Sequence, residues 1–201
     1  MSQILKAEKS SHSACRVPYA VFTEKSYYDR EQEKIFRGDE WSFVALDAEV
    51  PNPGDYKTTF IGDTPVIVIR DADGAVNVLQ NRCAHRGALV CRNLRGNSQS
   101  LECIYHQWSY DLQGKLAGVP FRRGIQGKGG MPADFNLKDH GLPRLRVEIL
   151  CGLVFATYSE KVESLRDYLG PMVCESIERI FNRPIEVLGD QRQHIHANWK
   201  L

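Results

Sequence analysis

The chain has 201 residues, and its 26 basic side chains nearly balance its 25 acidic ones. This balance gives no indication of binding to nucleic acid or to an anionic membrane surface. The longest apolar run, 149–158, is too short to span a bilayer, and residues 1–13 lack the apolar core of a signal peptide. Six cysteines without a paired framework indicate a reducing compartment, so we expect a cytoplasmic protein without a membrane partner.

The N-terminal forty residues divide into two segments. Residues 1–17 are mostly polar, and we expect a mobile tail. Residues 18–40 predict a helical segment whose helix begins near Ser26 and stops at Gly38. We interpret the aromatic stripe on this helix as a packing surface and not as a site.

From Trp41 onward the pattern becomes that of short strands separated by turn signals. Pairs of strands that flank tight turns predict antiparallel hairpins. The sequence therefore predicts a mainly β fold, with a compact antiparallel domain over 41–157. The predicted strands are 42–46, 57–61, 65–70, 75–79, 108–111, 115–119, 145–149 and 153–157.

A glycine-rich stretch with basic side chains, 120–141, interrupts the strands. It lacks the glycine-lysine pattern of a phosphate-binding loop and no helix follows at once, so we predict a surface loop. Arg122, Arg123 and Lys128 cluster within it. They fit a docking surface for an acidic electron donor as well as a solvated face, and the sequence leaves both readings open.

The last segment, 158–201, has a different pattern from the β domain. Helices are predicted over 162–169 and 172–181, with a break at Gly170-Pro171. A strand is predicted over 185–196. This segment therefore reads as the start of a second domain.

Two mixed pairs of possible metal ligands lie within the β domain. Cys83 and His85 form C-x-H, Cys103 and His106 form C-x-x-H, and 17 residues separate the pairs. Each pair offers one thiolate and one imidazole, so one iron of a [2Fe–2S] cluster would take both sulfurs and the other both histidines. A structural zinc site usually pairs like ligands and is followed by a helix, which is not the pattern here. We therefore predict a Rieske cluster bound by these four residues.

The segments Cys83-Ala-His85-Arg86-Gly87 and Cys103-Ile-Tyr-His106-Gln-Trp108 resemble the large (α) subunit of Rieske non-haem iron aromatic-ring hydroxylating oxygenases. The stretches that begin at Gly118, Gly127, His140 and Asp167 resemble the branch that acts on salicylate, anthranilate or terephthalate. The resemblance implies an enzyme, a mono- or dioxygenase, whose Rieske-type antiparallel β domain follows an N-terminal helix. It also implies that 158–201 begins an α+β catalytic domain.

The resemblance further implies a path for electrons and a set of partners. NADH-derived electrons would come from a reductase, directly or through a ferredoxin, and pass from the cluster to a mononuclear Fe(II) that activates O₂. That iron, and the pocket for a single-ring aromatic acid, would lie in the catalytic domain, so no catalytic residue is expected within these 201. The complete protein would be a homotrimer or an α3β3 hetero-hexamer. A Rieske ferredoxin-like carrier without oxygenase activity is the alternative.

The remaining metal-ligating side chains have no comparable pattern. Asp190, His194 and His196 have the residue types of a facial iron triad, but we interpret them as a strand face. His12 and His140 read as surface residues. The other cysteines, which we expect to be unpaired and outside the ligand set, are Cys15, Cys91, Cys151 and Cys174.

The residues around the second ligand pair predict how the cluster is tuned and shielded. Respiratory Rieske proteins have a hydrogen-bonding serine just after the second histidine, where this chain has Gln107 and Trp108. Without that donor we expect a potential at the low end of the Rieske range, about −150 mV. Trp108 is expected to shield the cluster. By resemblance, His106 would face the catalytic domain of a neighbouring subunit.

Overall fold

The computed structural model describes residues 17–126, 128–193 and 195–200. The predicted mobile tail, 1–17, lies outside the described residues except for Val17. Ten strands form two antiparallel sheets, with strand orders β1-β10-β9-β4-β3-β2-β5 and β6-β7-β8. The mainly β fold predicted from the sequence is therefore confirmed. The strands are β1 Ser42–Leu46, β2 Asp55–Ile61, β3 Thr64–Arg70, β4 Val76–Gln80, β5 Arg95–Asn97, β6 Leu101–Glu102, β7 Ser109–Tyr110, β8 Leu116–Gly118, β9 Arg144–Leu150 and β10 Leu153–Thr157.

Strand β3 lies between β4 and β2 in the large sheet and is buried on both faces. Val66 and Val68 point into one core, and Ile67 and Ile69 point into the other. This alternation follows from the two-residue period of a strand, so a one-residue slip would exchange the two faces. The core that contains Ile67 and Ile69, called the first core from here on, also contains Cys83, Cys103, Trp108 and Tyr110. The hairpins thus place the predicted ligands against a fixed, apolar wall.

Two short strands between the ligand pairs were not predicted. β5 pairs with β2, and β6 pairs with β7. Neither has an alternating apolar pattern, because β5 is Arg-Gly-Asn and β6 is only two residues long. Both are strands because a neighbouring edge supplies hydrogen-bond partners, which a local pattern does not reveal.

The N-terminal helix differs from its prediction at its start. Helix α1, Ala20–Thr23, precedes α2, Lys25–Glu31, and one π-helical turn, Gln32–Phe36, follows. The residue before α2 is Glu24, so Ser26 lies inside the helix and not at its cap. The π-turn brings the buried Gln32 side chain to the β2–β3 turn, where it accepts a hydrogen bond from the Asp63 N–H at 2.9 Å.

The C-terminal helix, α3, runs from Leu165 to Ile180 and is broken at Gly170, whose φ is +72°. The predicted break is therefore present, but the predicted start at 162 is wrong. Val162 is buried in the preceding loop, and Ser164 caps the helix by accepting from the Asp167 N–H. No described helix is long and apolar enough to cross a bilayer.

The predicted strand over 185–196 is wrong for the residues of it that the structure describes. They have no neighbouring strand to complete a ladder, and side chains attach the segment instead. Asp190 forms an ion pair with Arg95 at 2.9 Å, and Arg192 donates to the Thr58 carbonyl oxygen at 3.1 Å. The sequence pattern therefore predicted a strand for which the described residues supply no neighbouring edge.

The end of the described chain returns to the N-terminal helix. Trp199 packs edge-on against Phe36 at 5.2 Å between ring centroids and donates its indole N–H to Glu31 at 2.9 Å. Lys200 forms an ion pair with the same carboxylate at 2.8 Å. These bonds lower the pKa of Glu31, with the Lys200 bond the largest cause. Segments 18–40 and 158–201 are thus in contact, while the domain boundaries themselves stay predictions.

Candidate metal centre

The two predicted ligand loops have the same backbone design. In the first, the Cys83 N–H donates to Ala88 O and the Gly87 N–H donates to Cys83 O, both at 2.8 Å. In the second, the Cys103 N–H donates to Trp108 O at 2.9 Å and the Gln107 N–H to Cys103 O at 2.8 Å. Each cysteine therefore opens a tight turn that is closed five residues later.

Both turns need a left-handed backbone at the fourth residue after the cysteine. Gly87 has a φ of +72°, and Gln107 has a φ of +55° in the equivalent place. Glycine adopts this conformation without strain, whereas glutamine is held in it by the surrounding structure. The twin turns present their cysteines and histidines toward each other, so the two halves form one site.

Within this site like donors lie beside like donors. Cys83 and Cys103 are both buried. Burial is the largest cause that raises the pKa of the Cys103 thiol, and the neighbouring Cys83 thiol raises it further. The half-buried rings of His85 and His106 meet edge-on, with centroids 4.5 Å apart. Sulfur faces sulfur and imidazole faces imidazole, which is the arrangement that a cluster with two unlike irons requires.

One buried atom shows which nitrogen of His106 faces the interior of the site. Its Nδ1 is inaccessible to solvent and has no hydrogen-bond partner. A buried nitrogen without a partner costs free energy unless something binds it. Nδ1 is therefore the atom available to a metal, and the outer nitrogen is left for hydrogen bonding. The donor set and this orphaned atom both fit a [2Fe–2S] group.

A single metal ion fits these side chains less well. Across the described ranges, no three side chains of the His, Cys, Asp and Glu types are grouped so as to hold one metal ion. A structural zinc site takes four ligands around one ion, whereas a Rieske cluster takes two protein ligands on each iron. The paired arrangement is therefore better suited to a two-iron cluster.

Trp108 lies where the sequence predicted a shield. Its buried ring stacks on His85 with centroids 4.9 Å apart and an interplanar angle of 11°. The Trp108 ring also makes edge-on contacts with Phe135 and His140, at centroid distances of 5.8 Å and 6.0 Å. His140 is half-buried and stacks on Phe135, so its interpretation as a simple surface residue is wrong. No local pattern predicted these contacts, because Trp108 lies 27 residues before Phe135 and 32 residues before His140.

Tyr110 supplies a hydrogen bond that the sequence did not predict. Its hydroxyl oxygen accepts from the Ala84 N–H at 3.1 Å and lies 3.2 Å from Cys83 Sγ. Because a cysteine sulfur that binds a cluster carries no proton, the Tyr110 hydroxyl would donate to that sulfur. Burial raises the pKa of Tyr110, which keeps that proton in place. The expectation of a low potential rested on the missing serine after His106 and did not take this hydroxyl into account.

The Tyr110→Phe variant is expected to have a lower reduction potential than the parent chain. The hydrogen bond favours the reduced state, because reduction makes the thiolate side more negative. A loss of about 1 kcal/mol corresponds to roughly 40 mV for one electron. Protein-film voltammetry would measure the shift. The control Tyr56→Phe removes a hydroxyl that has no contact with Cys83, so it should leave the potential unchanged. Equal potentials for parent and Tyr110→Phe would contradict the role of this hydrogen bond.

Asn81 holds the first ligand loop in place and was also missed. Its buried amide donates to Cys91 O at 2.7 Å, and its oxygen accepts from the Val90 and Cys91 N–H groups, both at 2.9 Å. Three backbone groups at the far end of the loop are satisfied by one side chain. A single polar residue between a strand and a cysteine motif carries no pattern that would have revealed this role.

The other cysteines are unpaired wherever the structure describes them. Cys91, Cys151 and Cys174 form no disulfide, and Cys15 lies outside the described residues. Burial raises the pKa of Cys91 to about 12, which disfavours the thiolate that a metal needs. Of the possible facial triad, Asp190 is paired with Arg95, and His194 lies outside the described residues. His12, which we interpreted as a surface residue, also lies outside them.

Comparison with known proteins gives the family. Residues 40–128 match the model of the Rieske [2Fe-2S] domain. The chain is 61% identical over 186 residues to the anthranilate 1,2-dioxygenase large subunit of Burkholderia cepacia, covering 92% of this chain and 44% of that protein. It is 49% identical to the terephthalate 1,2-dioxygenase terminal oxygenase component subunit alpha 2 of Comamonas sp, covering 92% and 45%.

A solved structure supports the same relationship. Naphthalene 1,2-dioxygenase from Rhodococcus sp. bound to indole has a TM-score of 0.79 and 34% sequence identity, covering 92% of this chain and 41% of that one. The chain spans less than half the length of these relatives. The matched regions extend well beyond the β domain, which favours an oxygenase subunit over a small carrier. Residues 40–128 are therefore a Rieske [2Fe-2S] domain, and over 92% of its length the chain is similar to the large subunits of Rieske aromatic-ring oxygenases.

Proposed function

We propose that Cys83, His85, Cys103 and His106 hold the [2Fe–2S] cluster and that the chain is the electron-transfer portion of an oxygenase large subunit. One observation carries the assignment: the buried cysteines adjoin each other, and the histidine rings meet 4.5 Å apart. When bound, the cluster supplies reversible one-electron chemistry. Trp108 and the first core exclude water from one side of this site, and Tyr110 directs a proton at the Cys83 sulfur.

The proposed role in the complete protein follows from the relatives. NADH-derived electrons would come from a reductase, with or without a ferredoxin, and leave for a mononuclear iron that activates O₂. A single-ring aromatic acid is the proposed substrate class, because the similar proteins include an anthranilate and a terephthalate dioxygenase. We propose a trimeric or α3β3 assembly. The unpaired cysteines and the need for NADH support a cytoplasmic location.

Spectroscopy on the chain after reconstitution with iron and sulfide tests the ligand set. Reduction is expected to give a Rieske-type electron paramagnetic resonance signal with hyperfine coupling to two imidazole nitrogens. Labelling histidine with ¹⁵N should change both couplings. A colourless protein with bound zinc, or a cluster with thiolate ligands alone, would contradict the proposal.

The same preparation separates electron transfer from oxygenation. It should accept one electron per cluster and give no hydroxylated product from anthranilate, even with added Fe(II). The physical reason is that Asp190, the only carboxylate of the possible triad, is already paired with Arg95 at 2.9 Å. Hydroxylated product from this chain alone would restore Asp190, His194 and His196 as candidate iron ligands.

A further inference from the structure

The segment between β8 and β9, together with the turn before β8, carries an excess of positive charge. Residues 115–140 have five cationic side chains and two carboxylates, whereas the whole chain is balanced. All five are exposed, and within the part of the chain that the structure describes none of them forms an ion pair. Unpaired cations grouped on one surface create a positive potential that attracts an acidic partner. The five are Lys115, Arg122, Arg123, Lys128 and Lys138.

Exposed apolar side chains alternate with these charges along the loop. Phe121 is 70% exposed and Ile125 is 60% exposed. A groove of about 670 Å³ lies beside Arg122, and its lining combines leucines with cations. A combination of exposed apolar and charged side chains is typical of a protein-protein interface, and it is unlike a site for a small anion. The apolar and cationic lining residues are Leu116, Leu137, Leu142, Lys115, Arg122 and Lys138.

The loop that carries this surface is held in one shape. The Gly124 N–H donates to Phe121 O at 2.8 Å, and the Met131 N–H donates to Arg122 O at 2.9 Å. Met131 and Phe135 pack against the first core, which also contains the two predicted cysteine ligands. A surface that is already formed loses little conformational entropy when a partner binds.

The same surface lies next to one of the two histidines of the site. His85 stacks on Trp108, Trp108 meets Phe135, and Phe135 stacks on His140 with centroids 4.5 Å apart. His106 instead contacts Tyr105, which is 58% exposed. The loop that carries the cations is therefore connected to His85 through the rings of Phe135 and Trp108.

We propose that the basic surface, formed by Lys115, Phe121, Arg122, Arg123, Ile125, Lys128 and Lys138, is the docking site of an acidic protein that donates electrons. The inference rests on the proposed function, because it assumes a cluster beside His85. The donor is a reduced iron–sulfur protein: it loses one electron and the Rieske cluster gains that electron, with no bond made or broken. Charge attracts the donor to this surface, and the apolar side chains hold it.

The test uses the reconstituted chain and an acidic plant-type [2Fe–2S] ferredoxin as the probe. Calorimetry gives the Kd with the oxidised ferredoxin, and stopped-flow absorbance gives the rate of cluster reduction by the reduced one. The triple variant Arg122→Glu, Arg123→Glu, Lys128→Glu should slow reduction at least tenfold at low ionic strength. High salt should remove most of that difference. Phe121→Ala should weaken binding about fivefold at any salt concentration, because an apolar contact is not screened.

Two controls isolate the surface from general charge effects. Lys161→Glu with Arg179→Glu reverses exposed charges outside the basic surface and should leave Kd and rate unchanged. Arg122→Lys with Arg123→Lys keeps the charge and should bind nearly as the parent does. Equal Kd values and rates for the parent and the triple variant would overturn the docking site.

Reduction by dithionite separates the two proposals, because this small reductant needs no docking surface. The triple variant should be reduced by dithionite at the parent rate and show the parent spectrum, which places the defect in docking. A parent chain that never holds a Rieske cluster would refute the proposed function itself. A triple variant that lost its cluster while the parent kept one would show that these residues are structural.

Discussion

Replacing Cys83 or Cys103 by serine is expected to abolish the cluster. Each variant leaves one iron with a single thiolate, and a neutral hydroxyl is a poor substitute for that ligand. Both sulfurs are buried in the first core, so solvent has little access to supply a replacement. Visible absorption and iron content of the purified variants are expected to fall to background, a loss of more than tenfold.

Cys91→Ala is the matched control, because Cys91 is also a buried cysteine of the first core and lies between the two ligand pairs. Its raised pKa, about 12, and its backbone bonds to Asn81 indicate a packing role. The variant should keep the parent spectrum. Bleaching of Cys91→Ala, or an intact spectrum in Cys83→Ser, would show that the ligand assignment is wrong.

Replacing Asn81 by alanine is expected to lower the free energy of unfolding by about 3 kcal/mol or more. Three buried backbone groups lose their partner, and each such loss costs about 1–3 kcal/mol. Because these groups close the loop that begins at Cys83, the cluster should also bleach at a lower temperature. Urea denaturation followed by circular dichroism, and thermal bleaching followed by absorbance, measure the two effects.

Asn97→Ala is the control for this loss. Asn97 is likewise an asparagine with side-chain hydrogen bonds, which it donates to Pro53 O and Asp55, but it is exposed and water can replace them. Its cost should stay below about 1 kcal/mol. Similar losses for the two variants would mean that the bonds of Asn81 have no special importance for the loop.

Local sequence determined the parts of the site that depend on neighbours along the chain. Each cysteine and its histidine lie within three residues of one another, so the two-plus-two donor set was predictable before the loops were placed in space. The alternation of β3 and the break at Gly170 were predictable for the same reason. A strand period and a glycine-proline break act over a few residues.

Other features depended on partners that are distant in sequence. The contact of Tyr110 with Cys83, the support that Asn81 gives Cys91, and the stack of Phe135 on His140 each join separate segments. The predicted strand over 185–196 is wrong for the converse reason, since its described residues have no neighbouring strand with which to pair. Trp199 and Lys200 likewise bind Glu31, from which they are separated by 168 and 169 positions in the sequence.

The sequence by itself therefore determined which side chains could bind the cluster and where the longer strands lie. The tertiary structure alone decided what surrounds those ligands: the hydroxyl beside the Cys83 sulfur, the Asn81 amide behind the loop, and the Phe135 ring beside Trp108. The physical reason is the separation along the chain over which each property acts. Backbone periodicity and ligand spacing are local properties, whereas hydrogen-bond partners and ring contacts are set by packing between distant segments.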